Sequence, residues 1–253
     1  MPNLFDITGD VAVVTGAGRG IGRGIAQALA DAGAYVICAA RRENEIEETA
    51  ALINQAHGSN RAIAVRTDVT VAADMDALAD VAVRQFGRLD IWVNNAGGSP
   101  VSMPLVELPE EEWHRTMAVN LTSVFYGVRA AVRHLGDKSR ILNTSSLAGQ
   151  DPFPGSGHYS AAKAGVNMLT KTLAHELGPK TRINTILPGF VPTETVKIAL
   201  KMADEDFPAL EQQLNLPAGR LGTPEDIGAA ALYFCSPASE WVTGQCFRVA
   251  GTP

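Results

Sequence analysis

Seven short apolar runs rich in β-branched residues punctuate the chain: Val11–Thr15, Tyr35–Ala39, Ala62–Arg66, Ile91–Val93, Arg140–Thr144, Arg182–Leu187 and Cys246–Val249. Between the first six lie helical stretches near 21–32, 43–57, 72–86, 110–135 and 157–177. The runs are apolar throughout; they do not alternate with polar residues. Strands of that kind are covered on both faces, which is the condition of a parallel sheet. Strand–helix alternation with short connections therefore predicts an α/β chain: a doubly wound, seven-stranded, mostly parallel sheet with helices on both faces.

Local punctuation supports these elements. Gly33 and Gly178 can close helix C-termini, and Thr223-Pro224-Glu225-Asp226 reads as an N-cap, a proline in the first turn and two acids. No linker, repeat or low-complexity tract divides the 253 residues, so 1–253 is expected to form a single nucleotide-binding domain. The segment 190–222 breaks the alternation and carries Pro192, Pro208 and Pro217, which predicts a mobile element covering a site.

Composition narrows the partners. A net charge of −6 without a Lys/Arg-rich segment argues against a nucleic acid or an acidic membrane surface. No apolar stretch approaches the ~18 residues of a membrane span, and Met1 to Asp6 shows no signal-peptide pattern. Cys38, Cys235 and Cys246 are far apart, as expected of small buried side chains in a reducing compartment, so a cytoplasmic location is expected. His57, His114, His134 and His175 have no metal-ligand spacing with one another or with the cysteines, and no catalytic metal is expected.

Two loci carry chemistry. After the first strand, Thr15-Gly16-Ala17-Gly18-Arg19-Gly20-Ile21-Gly22 opens a helix. Such glycines permit a tight turn and close approach of backbone to a pyrophosphate, which the helix N-terminus then attracts. The ordinary alternative is a plain strand-to-helix turn. Further on, Tyr159 and Lys163 stand four residues apart and share one helix face. A free phenol titrates near ~10, and a neighbouring ammonium favours the phenolate, so the pair is a candidate acid/base device. The ordinary alternative is a wet helix face.

The end of the second strand bears on the choice of nucleotide. NAD sites usually place an acid there, about 20 residues past the loop, to bond the ribose 2′-hydroxyl. Here Ala40 takes that position and Arg41 and Arg42 follow. Guanidinium groups grip a 2′-phosphate, and Arg19 can approach the same group, so NADP is expected over NAD. Alternatively, Arg41 and Arg42 begin a solvated helix paired with Glu45, Glu47 or Glu48.

Thr15-Gly16-x-x-x-Gly20-x-Gly22, Asp68-Val69, Asn94-Asn95-Ala96-Gly97, Asn120, Ser146, Tyr159-x-x-x-Lys163 and Pro188-Gly189 followed by Thr193 together resemble the single-domain branch of the short-chain dehydrogenase/reductase family. The resemblance runs over nearly the whole length and implies a Rossmann-type fold and an NADP(H)-dependent oxidoreductase interconverting a ketone and a secondary alcohol. It makes Tyr159 the general acid or base. Lys163 would lower the Tyr159 pKa and hold the nicotinamide ribose. Ser146, with Ser145 as its rival, would bond the substrate oxygen, and Asn120 would hold a relay water. Asn120 in an apolar helical run is also explained by a backbone carbonyl that satisfies it.

Gly16, Gly18, Arg19, Gly20, Ile21, Gly22, Arg41 and Arg42 would hold the phosphates, and Asp68 and Val69 the adenine. Asn94, Asn95, Ala96, Gly97, Pro188, Gly189, Val191 and Thr193 would border the nicotinamide half. Family members are commonly homotetramers, with the helices at 110–135 and 157–177 as an interface. The substrate pocket is expected to include Gly98, Ser99, Gln150, Phe153, Phe190, Val191 and parts of 194–214, which suits a neutral, fairly hydrophobic ketone or alcohol. His158 is expected at a pocket rim or the surface, and Trp113, Phe125 and Tyr126 in packing. Other readings are a non-catalytic NADP(H)-binding regulator, an NAD-dependent secondary alcohol or hydroxysteroid dehydrogenase, and epimerisation or dehydration on the same scaffold.

Overall fold

A computed structural model describes residues 3–252. Its seven strands are β1 (Val11–Thr15), β2 (Tyr35–Ala40), β3 (Ala62–Arg66), β4 (Leu89–Asn94), β5 (Leu135–Thr144), β6 (Thr181–Pro188) and β7 (Cys246–Val249). They form one sheet in the order β3-β2-β1-β4-β5-β6-β7, and every pairing is parallel. The expected doubly wound α/β sheet is therefore the observed one. The buried runs Val11–Thr15 and Ile91–Asn94 explain the centre, since only strands covered on both faces need no polar side.

Helices α1 (Gly20–Asp31), α2 (Glu43–His57) and α3 (Ala72–Phe86) follow the first three strands. The chain then runs through α4 (Glu110–Met117), a π-helical turn (Ala118–Thr122), α5 (Ser123–Ala131) and α6 (Gly157–Leu177). It continues through α7 (Glu194–Leu200), α8 (Phe207–Leu214) and α9 (Pro224–Cys235). One core joins the sheet to Ile25 and Leu29 of α1, Ile46 and Ile53 of α2, and Ile227 and Phe234 of α9. The other joins it to Met75 and Leu78 of α3, Val124 and Val128 of α5, and Val166 of α6. Trp92 is fully buried in this second core.

Three boundaries differ from the sequence reading. The helix expected over 110–135 is interrupted. The Asn120 amide donates to the Thr116 carbonyl four residues back, at 3.0 Å, and so competes with the backbone ladder. Strand β5 begins at Leu135, which pairs with Leu89 before the register shifts. Lys138, in the left-handed region at φ +61, lies in this stretch. The segment 190–222 is not a bare loop: it holds α7 and α8, which Lys201 and Asn215 close in left-handed conformations.

The start of α9 matches its sequence signature. Thr223 Oγ1 accepts from the Asp226 amide, and Asp226 accepts from the Thr223 amide. Gly33 has φ +101 just past α1, whereas Gly178 closes α6 with ordinary extended backbone.

The sheet order reverses between β1 and β4, which are neighbours with their other partners on opposite sides. Loops that leave such a point diverge and open a crevice beyond the strand ends. Among the described residues no helix is long and apolar enough to cross a membrane.

Candidate active site

A cleft of about 740 Å³ opens at that switch point. Its floor is the glycine loop between β1 and α1. Asn95 fastens this loop from the end of β4, its side-chain amide donating to the Thr15 carbonyl at 3.1 Å. The Thr15 hydroxyl accepts the amides of Asn95 and Ala96 and donates to the Val93 carbonyl. Glycine is required at Gly22, where a Cβ would lie 2.0 Å from the Gly16 carbonyl oxygen. The loop is thus packed on its inner side and presents bare backbone to the cleft, which fits a pyrophosphate at the head of α1.

Elsewhere on the cleft wall stand the candidate acid/base residues. Ser146 leaves the end of β5, and Tyr159 and Lys163 share one face of α6. Lys163 is buried, and its Nζ donates to the Thr144 carbonyl at 2.8 Å and lies 5.6 Å from the Tyr159 ring centre. Burial brings its pKa down to about 8. Burial pushes the Tyr159 phenol up to about 12, opposed by its hydrogen bond with Ser146. Desolvation is thus the larger influence on the phenol, and the Lys163 ammonium is held by the Thr144 carbonyl.

The two serines separate clearly. Ser145 donates its hydroxyl to the Lys163 carbonyl at 3.0 Å and so ties β5 to α6. Ser146 accepts from the Ala148 amide and turns its hydroxyl to the phenol. Asn120 is fully buried. It accepts from the Gly98 amide at 2.7 Å and donates to the carbonyls of Gly98 and Thr116. The backbone therefore satisfies it, as the simpler expectation held, and it braces the wall of the cleft from behind. Gly97 must be small there, because a Cβ would meet Asn120 Oδ1 at 2.8 Å and Lys163 Nζ at 3.1 Å.

The fit to a dinucleotide rests on these contacts: a backbone cradle, a polar cluster, and an unpartnered buried Thr144 Oγ1 beside the cluster. The family model described as Enoyl-(Acyl carrier protein) reductase matches residues 16–251. 3beta-hydroxysteroid dehydrogenase 1 of Eggerthella lenta is 41% identical over 251 residues, covering 97% of this chain and 94% of that protein. The chain belongs to the short-chain dehydrogenase/reductase family. A second relative of this oxidoreductase family, the 3-oxoacyl-(acyl-carrier-protein) reductase FabG of Vibrio cholerae, is 37% identical, over 97% of this chain and 98% of its own. A solved structure of 7alpha-hydroxysteroid dehydrogenase complexed with NADH and 7-oxo glycochenodeoxycholic acid superposes with a TM-score of 0.89 at 34% identity. It covers 99% of this chain and 97% of its own.

In this short-chain dehydrogenase/reductase, the cleft is walled by the residues singled out from the sequence for cofactor or catalysis, except Asn94 and Asn120. Arg41, Arg42, Asp68 and Val69 line it beyond the glycine loop. Burial pushes the Asp68 carboxyl up, but bonds from Thr70 and the charges of Arg41 and Arg66 outweigh it and hold the pKa below its ordinary value. Arg42 pairs with Glu45 at 3.0 Å, as the solvated-helix alternative foresaw.

Other placements differ from expectation. Gln150, Phe153, Phe190 and α8 are not among the walls; Phe190 instead packs on Phe207, with ring centres 6.5 Å apart. From the covering segment, Val191, Thr193 to Val196 and Ile198 line the cleft. His158 is neither rim nor surface. It is fully buried and hydrogen-bonded to the Ser99 hydroxyl at 2.9 Å, and burial lowers its pKa, with Glu112 and Arg115 acting in opposite directions. Phe125 is half-exposed, stacked under Arg129, rather than packed inside.

Two features escaped the sequence reading. Arg115 lines the cleft and is held in a two-point pair with Glu112. A buried polar chain also runs across the sheet beneath Tyr159 and Lys163. Trp92 donates to Asn94 Oδ1, Asn94 to Asn143, and Asn143 to Thr170 of α6, which meets Thr185 of β6. It fixes α6 against β4, β5 and β6, and so fixes the acid/base pair relative to the strand ends. Polar residues inside apolar strands were the available signal. Among the described residues no group of three or more potential ligands is placed to hold a metal.

Proposed function

We propose that this protein is an NADP(H)-dependent oxidoreductase that interconverts a ketone and a secondary alcohol, with Tyr159 as general acid in reduction and general base in oxidation. The observation that carries the reading is the convergence of Ser146, Tyr159 and Lys163 on the cleft that the glycine loop floors. A nicotinamide held across that cleft would supply or accept the hydride. The chain's own groups provide the rest. Ser146 and Tyr159 donate hydrogen bonds to the substrate oxygen where negative charge develops. Tyr159 releases its proton to that oxygen, and Lys163 supplies a buried positive charge beside the phenol. The test is consumption of NADPH with a panel of ketones. Tight cofactor binding without turnover of any carbonyl or alcohol would favour a regulatory binding protein instead.

NADP is favoured because Ala40 stands where an acid would bond the ribose 2′-hydroxyl, and because Arg19, Arg41 and Arg42 all wall that end of the cleft. Arg41 makes no ion pair among the described residues. Arg41→Asp should weaken NADP(H) binding roughly 10- to 100-fold, the worth of a charge-assisted hydrogen bond, and spare NAD(H). Titration of both cofactors by fluorescence checks this, and an unchanged NADPH affinity removes Arg41 from the site.

The substrate is read as neutral and fairly hydrophobic, and the hydroxysteroid dehydrogenases among the relatives support that class. The segment through Thr193 and α7 is read as the cover over it. A location in the cytoplasm fits the buried cysteines Cys38 and Cys235, whose thiols burial pushes up to about 12. A homotetramer is favoured by the apolar face that Phe125 of α5 and Met168 of α6 expose, at 50% and 62%. Met168→Asp is expected to shift the assembly to smaller species in light scattering, and an unchanged mass places the interface elsewhere.

A further inference from the structure

We propose that Glu45 is a cofactor-selectivity residue: its carboxylate stands as a built-in counter-anion beside the position of a ribose 2′-phosphate and holds down the preference for NADP(H). The proposal rests on the reading above that this end of the cleft meets the 2′-substituent.

Glu45 lies in the first turn of α2 and walls the cleft together with Ala40, Arg41 and Arg42. Its Oε1 is 3.0 Å from Arg42 Nε and 3.8 Å from Arg19 Nη1. Two of the three arginines that could grip a phosphate therefore already face this one carboxylate. The side chain is 21% exposed and is pressed against the glycine loop. A Cβ on Gly18 would lie 2.7 Å from Glu45 Cβ and 3.1 Å from its Oε2. The carboxylate thus sits on the lip of the phosphate loop itself.

The backbone beneath it is fixed. The fully buried Thr49 hydroxyl lies within hydrogen-bond distance of the carbonyls of Ala17, Gly18 and Glu45, at 3.0, 3.3 and 3.1 Å. Arg23 joins the same knot, bonding Thr49, the Gly18 carbonyl and Glu48. The first turn of α2 is thereby laced to the loop, and Glu45 can yield only by swinging its side chain.

A 2′-phosphate entering here competes with Glu45 for Arg19 and Arg42 and is repelled by it. A 2′-hydroxyl carries no charge and can donate to a carboxylate. The residue therefore disfavours NADP(H) without penalising NAD(H), and the enzyme is less selective than its three arginines alone would make it.

The experiment measures NADPH and NADH affinities of wild type, Glu45→Gln and Arg41→Asp by fluorescence titration at two salt concentrations. Glu45→Gln keeps the shape against Gly18 and removes the charge. It should tighten NADPH about tenfold and leave NADH within about threefold, and the gain should shrink at high salt as screening takes over. An unchanged NADPH-to-NADH ratio would make Glu45 a surface ion pair without a role in selection. Weaker NADPH binding would overturn the proposal in the other direction, making Glu45 a group that orders the arginines. Weaker NADH binding alone would make it the acid that holds the ribose. The NADP reading fails separately, if wild type prefers NADH and Arg41→Asp leaves NADPH unchanged; the Glu45→Gln ratio still reports on the proposal in that case.

Discussion

Tyr159→Phe is expected to lower kcat for ketone reduction by a factor of about 1,000, within the range of a lost general acid, and to leave the fold intact. The substitution removes one oxygen and keeps the ring under Lys163 Nζ, so packing on α6 is preserved. The lost group is the proton that the substrate oxygen needs as hydride arrives. Burial pushes this phenol up to about 12, against the pull of Ser146, so in this state it is protonated across the neutral range. Reduction is then expected to stay level with pH through that range. Oxidation needs the phenolate and is expected to accelerate as pH rises toward the phenol's pKa. Steady-state rates in both directions from pH 6 to 10 check the pair of statements. A phenylalanine variant that keeps more than about a tenth of wild-type kcat would take Tyr159 out of the proton transfer.

Much of this fold was legible in the sequence, for a physical reason. Strands buried on both faces write themselves as unbroken apolar runs, and β1, β3 and β7 start and stop where those runs do. Helices α2, α3 and α6 are likewise bounded by their own periodicity. The glycine loop announces itself because no other residue fits where Gly22 meets the Gly16 carbonyl. What escaped depends on contacts distant in sequence. The π-helical turn exists because the Asn120 side chain reaches both Gly98 and its own helix, and periodicity alone contains no record of that. The burial of His158 depends on Ser99, 59 residues away in sequence. Arg19 reads as a phosphate ligand by type, whereas the fold gives it Glu45 of the next helix as a neighbour.

Lys163→Met is expected to abolish most activity and at the same time to leave the protein at least as stable as wild type. The two effects have one cause. Lys163 is only 3% exposed, and burial brings its pKa from 10.5 down to about 8. Holding that ammonium in the fold at neutral pH costs about 3 kcal/mol, the extra free energy of protonating the amine when buried rather than in water. Methionine fills similar volume without charge, but it orphans the Thr144 carbonyl that Nζ now serves, a loss of about 1–3 kcal/mol. The balance is a gain of about 1 kcal/mol, or about 2–4 °C in Tm for a chain of this size. The sign with pH is fixed by the same numbers. Between pH 8 and 10.5 the unfolded lysine stays protonated while the folded one has lost its proton, so wild-type stability recovers as pH rises through that window. The methionine variant has no such recovery, so its advantage at pH 7 should vanish at about pH 9 and reverse by about pH 10.5. The buried thiols Cys38 and Cys235 titrate differently in the two states at high pH, but they are common to both proteins and cancel in the difference. Urea denaturation of both proteins at pH 7 and pH 10 measures that difference. A variant less stable at pH 7 than at pH 10, relative to wild type, would mean that the ammonium stabilises the fold and that its retention needs no catalytic explanation.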